Sequence, residues 1–324
     1  TATASFALNL LPGAASTARL LTEFTTVTAS EVFPIAPRIA LFDRYDNAVN
    51  RTGVKITATV GSTVIGTATT DEKGVAEFSE LKISEKLKTT SSVSKTIVYS
   101  YDLGEGTKTI EQTVDVVAGD PSTFEIVTMP STTARAGLLL ETQPVVRFLD
   151  KNGNPVARAG LEIFTELITS DYGASLQGTT KIKTDDSGIA RFTNLSIRGG
   201  VGSYQILFAS QQTGDVILSD MISLKAGVAV LINVTKTTSV FSNDVSVEKP
   251  FELEAVDEWG NKDTSFTGKL AIRPSRTVDL TVTANGSFVD GALTVPSMKL
   301  VGTAGVLDLT FEAGSLSSGV QSVV

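Results

Sequence analysis

Along most of the chain apolar residues alternate with polar ones at a period of two, as at Val54, Ile56, Ala58 and Val60, or at Tyr204, Ile206 and Phe208. This alternation predicts strands with one buried face. Clusters of Gly, Asn, Asp and Ser break the strands at intervals of roughly ten residues, and no stretch sustains a helical period with caps. An all-β fold follows.

The pattern repeats. Ile39-Ala-Leu-Phe-Asp43-Arg-Tyr-Asp-Asn47 lies over Val146-Arg-Phe-Leu-Asp150-Lys-Asn-Gly-Asn154 and over Leu253-Glu-Ala-Val-Asp257-Glu-Trp-Gly-Asn261, and successive aspartates are 107 residues apart both times. Downstream, blocks opening at Gly74, Gly188 and Gly291 share an apolar residue four positions on and an apolar pair at seven and nine. Columns that stay apolar in every copy should face a core: Ile39, Val146 and Leu253 form one, and Leu41, Phe148 and Ala255 another. Small-residue joints at Pro12-Gly13, Ala118-Gly119 and Ala226-Gly227 divide the chain into residues 13–118, 119–226 and 227–324. Residues 1–12 read as the last strand of a preceding repeat, and the final strand before Val324 matches the strand that precedes a joint. The chain thus reads as cut from a longer array. About seven short strands in each repeat is the rhythm of an immunoglobulin-like β-sandwich, so the expectation is three tandem sandwiches with almost no linker between them, in an extended rod.

The segment Thr142-Gln-Pro-Val-Val-Arg-Phe-Leu-Asp-Lys-Asn-Gly-Asn-Pro-Val156, with Gly188-Ile-Ala-Arg-Phe-Thr-Asn-Leu-Ser-Ile197 and Gly202-Ser-Tyr-Gln-Ile-Leu-Phe208, resembles the bacterial Ig-like repeats of large surface proteins, of the intimin/invasin and gliding-adhesin types. The resemblance is strongest in the second repeat and weakest in the third, where Val295 replaces the Phe of the Gly block and Pro296 is inserted. It implies an extracellular, cell-surface protein. It does not assign a role, because such modules serve as stalks, filaments, coats and binding tips alike.

Composition narrows the chemistry. Of 324 residues 41% are hydrophobic and 19% charged, a balance that folds, and a net charge of −8 offers no basic field to nucleic acid or anionic lipid. No run of about 18 apolar residues is present, so no membrane insertion is expected within this segment. Histidine and cysteine are both absent, which excludes Ser-His-Asp and Cys-His nucleophiles, His-bound zinc, haem ligation and disulfides. Neither a phosphate-binding loop nor a dinucleotide fingerprint occurs. The chain is therefore read as no enzyme, with no cofactor. A glycosidase-like carboxylate pair remains open among 35 acidic residues, although a repeated scaffold with short loops offers no deep cleft.

Among individual residues, the Asp-x-x-x-Asn segments read first as tight turns, since Asp, Asn and Gly bond their own backbone or accept positive φ. The alternative is a calcium loop through Asp43, Asp46 and Asn47, or through Asp150, Asn152 and Asn154. Against it, the Glu at loop position twelve is missing and the third copy carries Trp259 where an oxygen ligand would sit. Tyr45 and Trp259 share one turn position; each ring either covers the adjacent joint or forms an exposed contact with a subunit or glycan. Sequons stand at Asn50, Asn194, Asn233 and Asn285, with Asn194 the least suited because it lies within a repeated strand-bearing block. The extra segments Ser84–Lys95 and Glu166–Gly178 read as solvated hairpin extensions, or else as carriers of specific contacts.

Two roles remain. A structural segment would have neighbouring repeats as partners and, in a filament or coat, copies of itself. A binding module would recognise a host or surface glycan or protein through its inserted loops. S-layer and virion-fibre subunits are variants of the first role, and an enzyme accessory region is a third reading.

Overall fold

The computed structural model describes residues 9–88, 92–168, 173–282 and 286–324, and every regular element among them is a strand. The chain divides into two compact units: residues 1–125, 147–161 and 184–189 form one, and residues 126–146, 162–183 and 190–324 the other.

In the first unit, Thr17–Leu20, Arg38–Phe42 and Val75–Glu77 form an antiparallel sheet, with Ala18 opposite Leu41 and Ile39 opposite Ala76. The second sheet runs Thr26–Thr28, Thr107–Val117, Ser92–Asp102, Lys55–Val60 and Thr63–Thr69. The opening segment of the repeat thus changes sheets: Thr17–Leu20 pairs antiparallel in one, and Thr26–Thr28 runs parallel to Thr107–Val117 in the other. The inner residues of both sheets, among them Ile39, Leu41, Ile56, Ala58, Tyr99 and Val116, close into one core. Alternation in sequence explains which face is buried: along Ser92–Asp102, Ile97, Tyr99 and Tyr101 are buried while Ser94 and Thr96 face out.

In the second unit, Glu162–Ile168 pairs with Lys181–Lys183 on one side and Gly202–Ala209 on the other; Ile222–Lys225 pairs with Gly202–Ala209, and Thr133–Arg135 adds a parallel edge. The third repeat builds three small sheets, ordered Leu231–Thr237, Phe251–Val256, Ala292–Thr294; Ser246–Glu248, Ser297–Val301, Asp279–Val282; and Ala271–Pro274, Leu307–Ala313, Leu316–Ser317, with Gln321–Val323 on the free side of Leu307–Ala313. Its core gathers Phe251, Phe288, Met298, Leu309 and Phe311.

The repeated columns behave as the pattern predicts. Ile39, Val146, Leu253, Leu41, Phe148 and Ala255 are all buried. Where Phe78 and Phe192 become Val295, the position stays buried, and Phe288 and Phe311 supply aromatic volume to that core. Each Gly block opens on a glycine at positive φ that lies against backbone: a Cβ on Gly74 would strike the Val49 carbonyl, on Gly188 that of Val156, and on Gly291 that of Asp263.

Candidate functional site: the Asp-Asn turn and the joints it closes

Asp43, Asp150 and Asp257 each end a core strand and start a hairpin turn, and all three are about 2% exposed. The turn makes the same bonds in every copy. In the second, Asp150 Oδ1 accepts the backbone N–H of Asn152 and of Asn154, both at 2.8 Å, and Asp150 Oδ2 accepts the Asn154 side-chain amide at 2.9 Å. Asp43 and Asp257 accept the corresponding N–H groups of Tyr45 and Asn47, and of Trp259 and Asn261. A carboxylate can saturate three turn donors in this way because Asp is short enough to reach its own backbone two and four residues on.

A fourth donor comes from the joint. Gly13, Gly119 and Gly227 each donate their backbone N–H to Oδ2 of Asp43, Asp150 and Asp257, at 2.8, 2.9 and 2.7 Å. The buried carboxylate needs the donor in every copy, and at Gly227 a side chain is excluded as well, since a Cβ there would lie 2.6 Å from the Ala136 carbonyl, whereas Gly13 meets only ordinary contacts.

The asparagine that ends the turn reaches into the repeat before it. Asn154 Oδ1 accepts the N–H of Leu87 at 2.8 Å, and Asn152 Nδ2 donates to the Ala29 carbonyl at 3.3 Å. Lys151 pairs with Glu31 at 2.9 Å. In the second unit Asn261 Oδ1 accepts the N–H of Val201 at 3.1 Å, while its Nδ2 donates to the Gly199 carbonyl at 2.9 Å. Arg135 adds a clamp there, donating to the carbonyls of Ala226 and Gly227 and pairing with Asp263 at 2.9 Å.

The candidate residues fall into place around these joints. The oxygens of Asp150 and the Oδ1 of Asn154 are engaged by N–H donors, the bonding of a structural turn; among the described residues no cluster of three or more acidic side chains converges on a metal-sized site. Trp259 is half-buried over Gly137, so that a Cβ there would lie 2.5 Å from the ring. Tyr45, its counterpart, is 69% exposed, with the Arg44 guanidinium 4.6 Å from its ring centre. Asn50 and Asn233 are exposed; Asn194 bonds Thr179 through both side-chain atoms, and Asn285 lies outside the described residues. The segment Ser84–Lys95, expected first as a solvated extension, lies partly outside the described residues; Ser84, Lys86, Lys88, Ser92 and Ser94 are exposed, whereas Leu87 is buried to 3% and contributes its N–H to the joint. Glu166–Gly178 lies partly outside the described residues. Sequence reasoning missed the Arg135–Asp263 pair, whose members are 128 positions apart and carry no local motif.

Asp43, Asp150 and Asp263 also set a pH response. Bonding from Asn47, above all its side-chain amide, and from Gly13 and Tyr45 holds the Asp43 carboxyl far below the usual carboxylate range. At Asp150 burial pushes upward, yet the bonds from Gly119, Asn154 and Asn152 outweigh it and the carboxyl is lowered. Asp263 is lowered likewise, against burial, by Ser265, Ala229 and the Arg135 charge. A carboxyl lowered on folding stabilises the fold fully above its unfolded pKa, about 4, and loses that contribution as pH falls through the lower folded value. The melting temperature is therefore expected to be level with respect to these groups from neutral pH to about 5 and to fall below about pH 4, measured by circular dichroism across a pH series.

Residues 119–228 match the family model for SMCHD1 Ig-like domain 6. No curated protein matches the chain. Among solved structures, the chain is similar to the Escherichia coli adhesin FdeC, at 16% identity over 97% of this chain and all of that one, with a TM-score of 0.44. It is also similar to the bacterial integrin-binding protein invasin, at 13% identity over 95% of this chain and 59% of that one, TM-score 0.33. A third is the surface-layer protein SbsC, domains 4–9, at 17% identity over 96% of this chain and 47% of that one, TM-score 0.26. The chain is an all-β protein, and its residues 119–228 match an immunoglobulin-like domain. Among its described residues no helix is long and apolar enough to cross a membrane.

Proposed function

We propose that the chain is a structural segment of a large extracellular surface protein, a stalk, filament or coat in which residues 13–118, 119–226 and 227–324 act as successive sandwiches with stiff joints. One observation carries the reading: the same buried Asp-Asn turn takes an N–H from the joint glycine and a second N–H from the neighbouring repeat, at Asn154 in one unit and at Asn261 in the other. A joint whose glycine is bonded to a buried carboxylate and whose turn asparagine is bonded to the preceding repeat resists bending, which a spacer needs and a flexible linker lacks. The work assigned to the recurring turn chemistry is thus mechanical, and its first partners are neighbouring repeats. The absence of histidine and cysteine removes the common nucleophile, zinc and haem chemistries and fits a non-enzymatic role.

The resemblance to bacterial surface repeats supports the extracellular placement. Gold-labelled antibody against this segment, applied to intact source cells and viewed by electron microscopy, is expected to decorate projections or a regular coat. Label found only inside opened cells would sink the reading.

A further inference from the structure

Each joint has two halves, and among the described residues each half occurs three times. The turn half is Asp43, Asp150 or Asp257 with its asparagine. The corner half is a residue with left-handed backbone, Ser30, Gly137 or Asp244, at φ of 62°, 75° and 63°. These three corners are equivalent by their bonding: their N–H groups donate to the carbonyls of Ile83, Ile197 and Leu300, which close the three Gly blocks. Four residues beyond those carbonyls stand Leu87, Val201 and Ala304.

Two of the three corner halves are filled. Leu87 donates to Asn154 and Val201 to Asn261. What remains is one turn half, where Asn47 Oδ1 has no donor among the described residues and Tyr45 is 69% exposed, and one corner half, where Ala304 is exposed.

The filled joints also show a rule of size. Trp259 lies over Gly137, with no space for a Cβ, whereas the smaller Asn152 reaches the Ala29 carbonyl beside Ser30. Left-handed backbone alone does not demand glycine here, since Ser30 and Asp244 adopt it with side chains. The ring is what excludes a side chain at position 137.

We propose that Tyr45 and Asn47 form the docking face for a further immunoglobulin-like repeat of this kind, and that Tyr45 selects a repeat whose corner residue is glycine. The third repeat of this same chain, with Asp244 at its corner, is thereby rejected as the partner. The proposal rests on the joint reading above and adds its partner and its selectivity.

A head-to-tail fusion tests it, because the register is known. The N–H groups of Asp115, Ser223 and Val324 donate to the equivalent carbonyls of Thr25, Thr132 and Ser239, and the joint glycines 119 and 227 follow the first two by four residues. Joining Val324 of one copy directly to Leu10 of the next places Gly13 at the same offset. Amide hydrogen exchange is then read by NMR at Leu87, Val201 and Ala304, the first two serving as filled joints within the same molecule.

With Asp244→Gly in the leading copy, Ala304 of that copy is expected to exchange at least about tenfold more slowly than in the single chain. With Asp244 retained it stays fast. Fast exchange at Ala304 in the Asp244→Gly fusion, with Leu87 and Val201 slow, would overturn the docking proposal alone; equally slow exchange with Asp244 retained would overturn the glycine selection. Fast exchange at all three would overturn the joint reading on which both stand.

Discussion

Replacing Asp150 by alanine is expected to lower the melting temperature of the second repeat by at least about 10 °C, a loss of roughly 3–5 kcal/mol. The carboxylate is 2% exposed and accepts four donors, from Asn152, from Asn154 twice and from Gly119. Alanine strands these donors where little water reaches, and each buried N–H left without an acceptor costs about 1–3 kcal/mol, offset in part by water entering the gap. Asp150→Asn separates the turn from the joint. Its oxygen can keep the bonds to Asn152 and Asn154, but its amide then faces the N–H of Gly119 and the amide of Asn154. About half the loss is expected, with Gly119 and Leu87 exchanging their amide hydrogens faster. Differential scanning calorimetry of the two variants beside the parent chain decides the matter, and a shift under about 2 °C for the alanine variant would mean that the turn is not held by its carboxylate.

That turn is written in the local sequence, and the bonding of the joint it closes is not. Asp, Gly and Asn at fixed spacing name a turn, because the bonds that define it are local, at two and four residues. The core columns were legible for a related reason: a period of two and three aligned copies separate Ile39 and Leu41 from their outward neighbours without any knowledge of the partner sheet. The places of the joints were legible from their small residues, but the bonds that close them were not, because these join Asp150 to a glycine 31 positions earlier and Asn154 to Leu87, 67 positions earlier, inside a segment whose polar composition reads as a solvated extension. A signal did exist. Once the repeats are aligned on Asp43, Asp150 and Asp257, Gly137 stands in a column with Ser30 and Asp244, and Trp259 stands in a column with Asn152 and Tyr45. A small residue in one column and a large one in the other, at the same joint, is the imprint of a ring against a backbone.

Phe251→Ala is expected to cost the third repeat about 3–5 kcal/mol, the usual result of emptying a buried aromatic site that cannot collapse. Phe251 is fully buried, with the Phe311 ring centre at 4.8 Å and the Phe241 ring stacked at 6.2 Å, so its removal strips two aromatic neighbours at once. What the variant tests is independence. The core around Phe251 and the core around Ile56 and Tyr99 share no residue, so unfolding of one should leave the other standing. Hydrogen exchange followed by mass spectrometry should then show lost protection along Phe251–Val256 and Leu307–Ala313, with Lys55–Val60 and Thr107–Val117 unchanged. Equal loss of protection in the first repeat would mean that the repeats unfold as one cooperative body. A spacer made of separately stable sandwiches would then be the wrong description, since its value under load lies in yielding one repeat at a time.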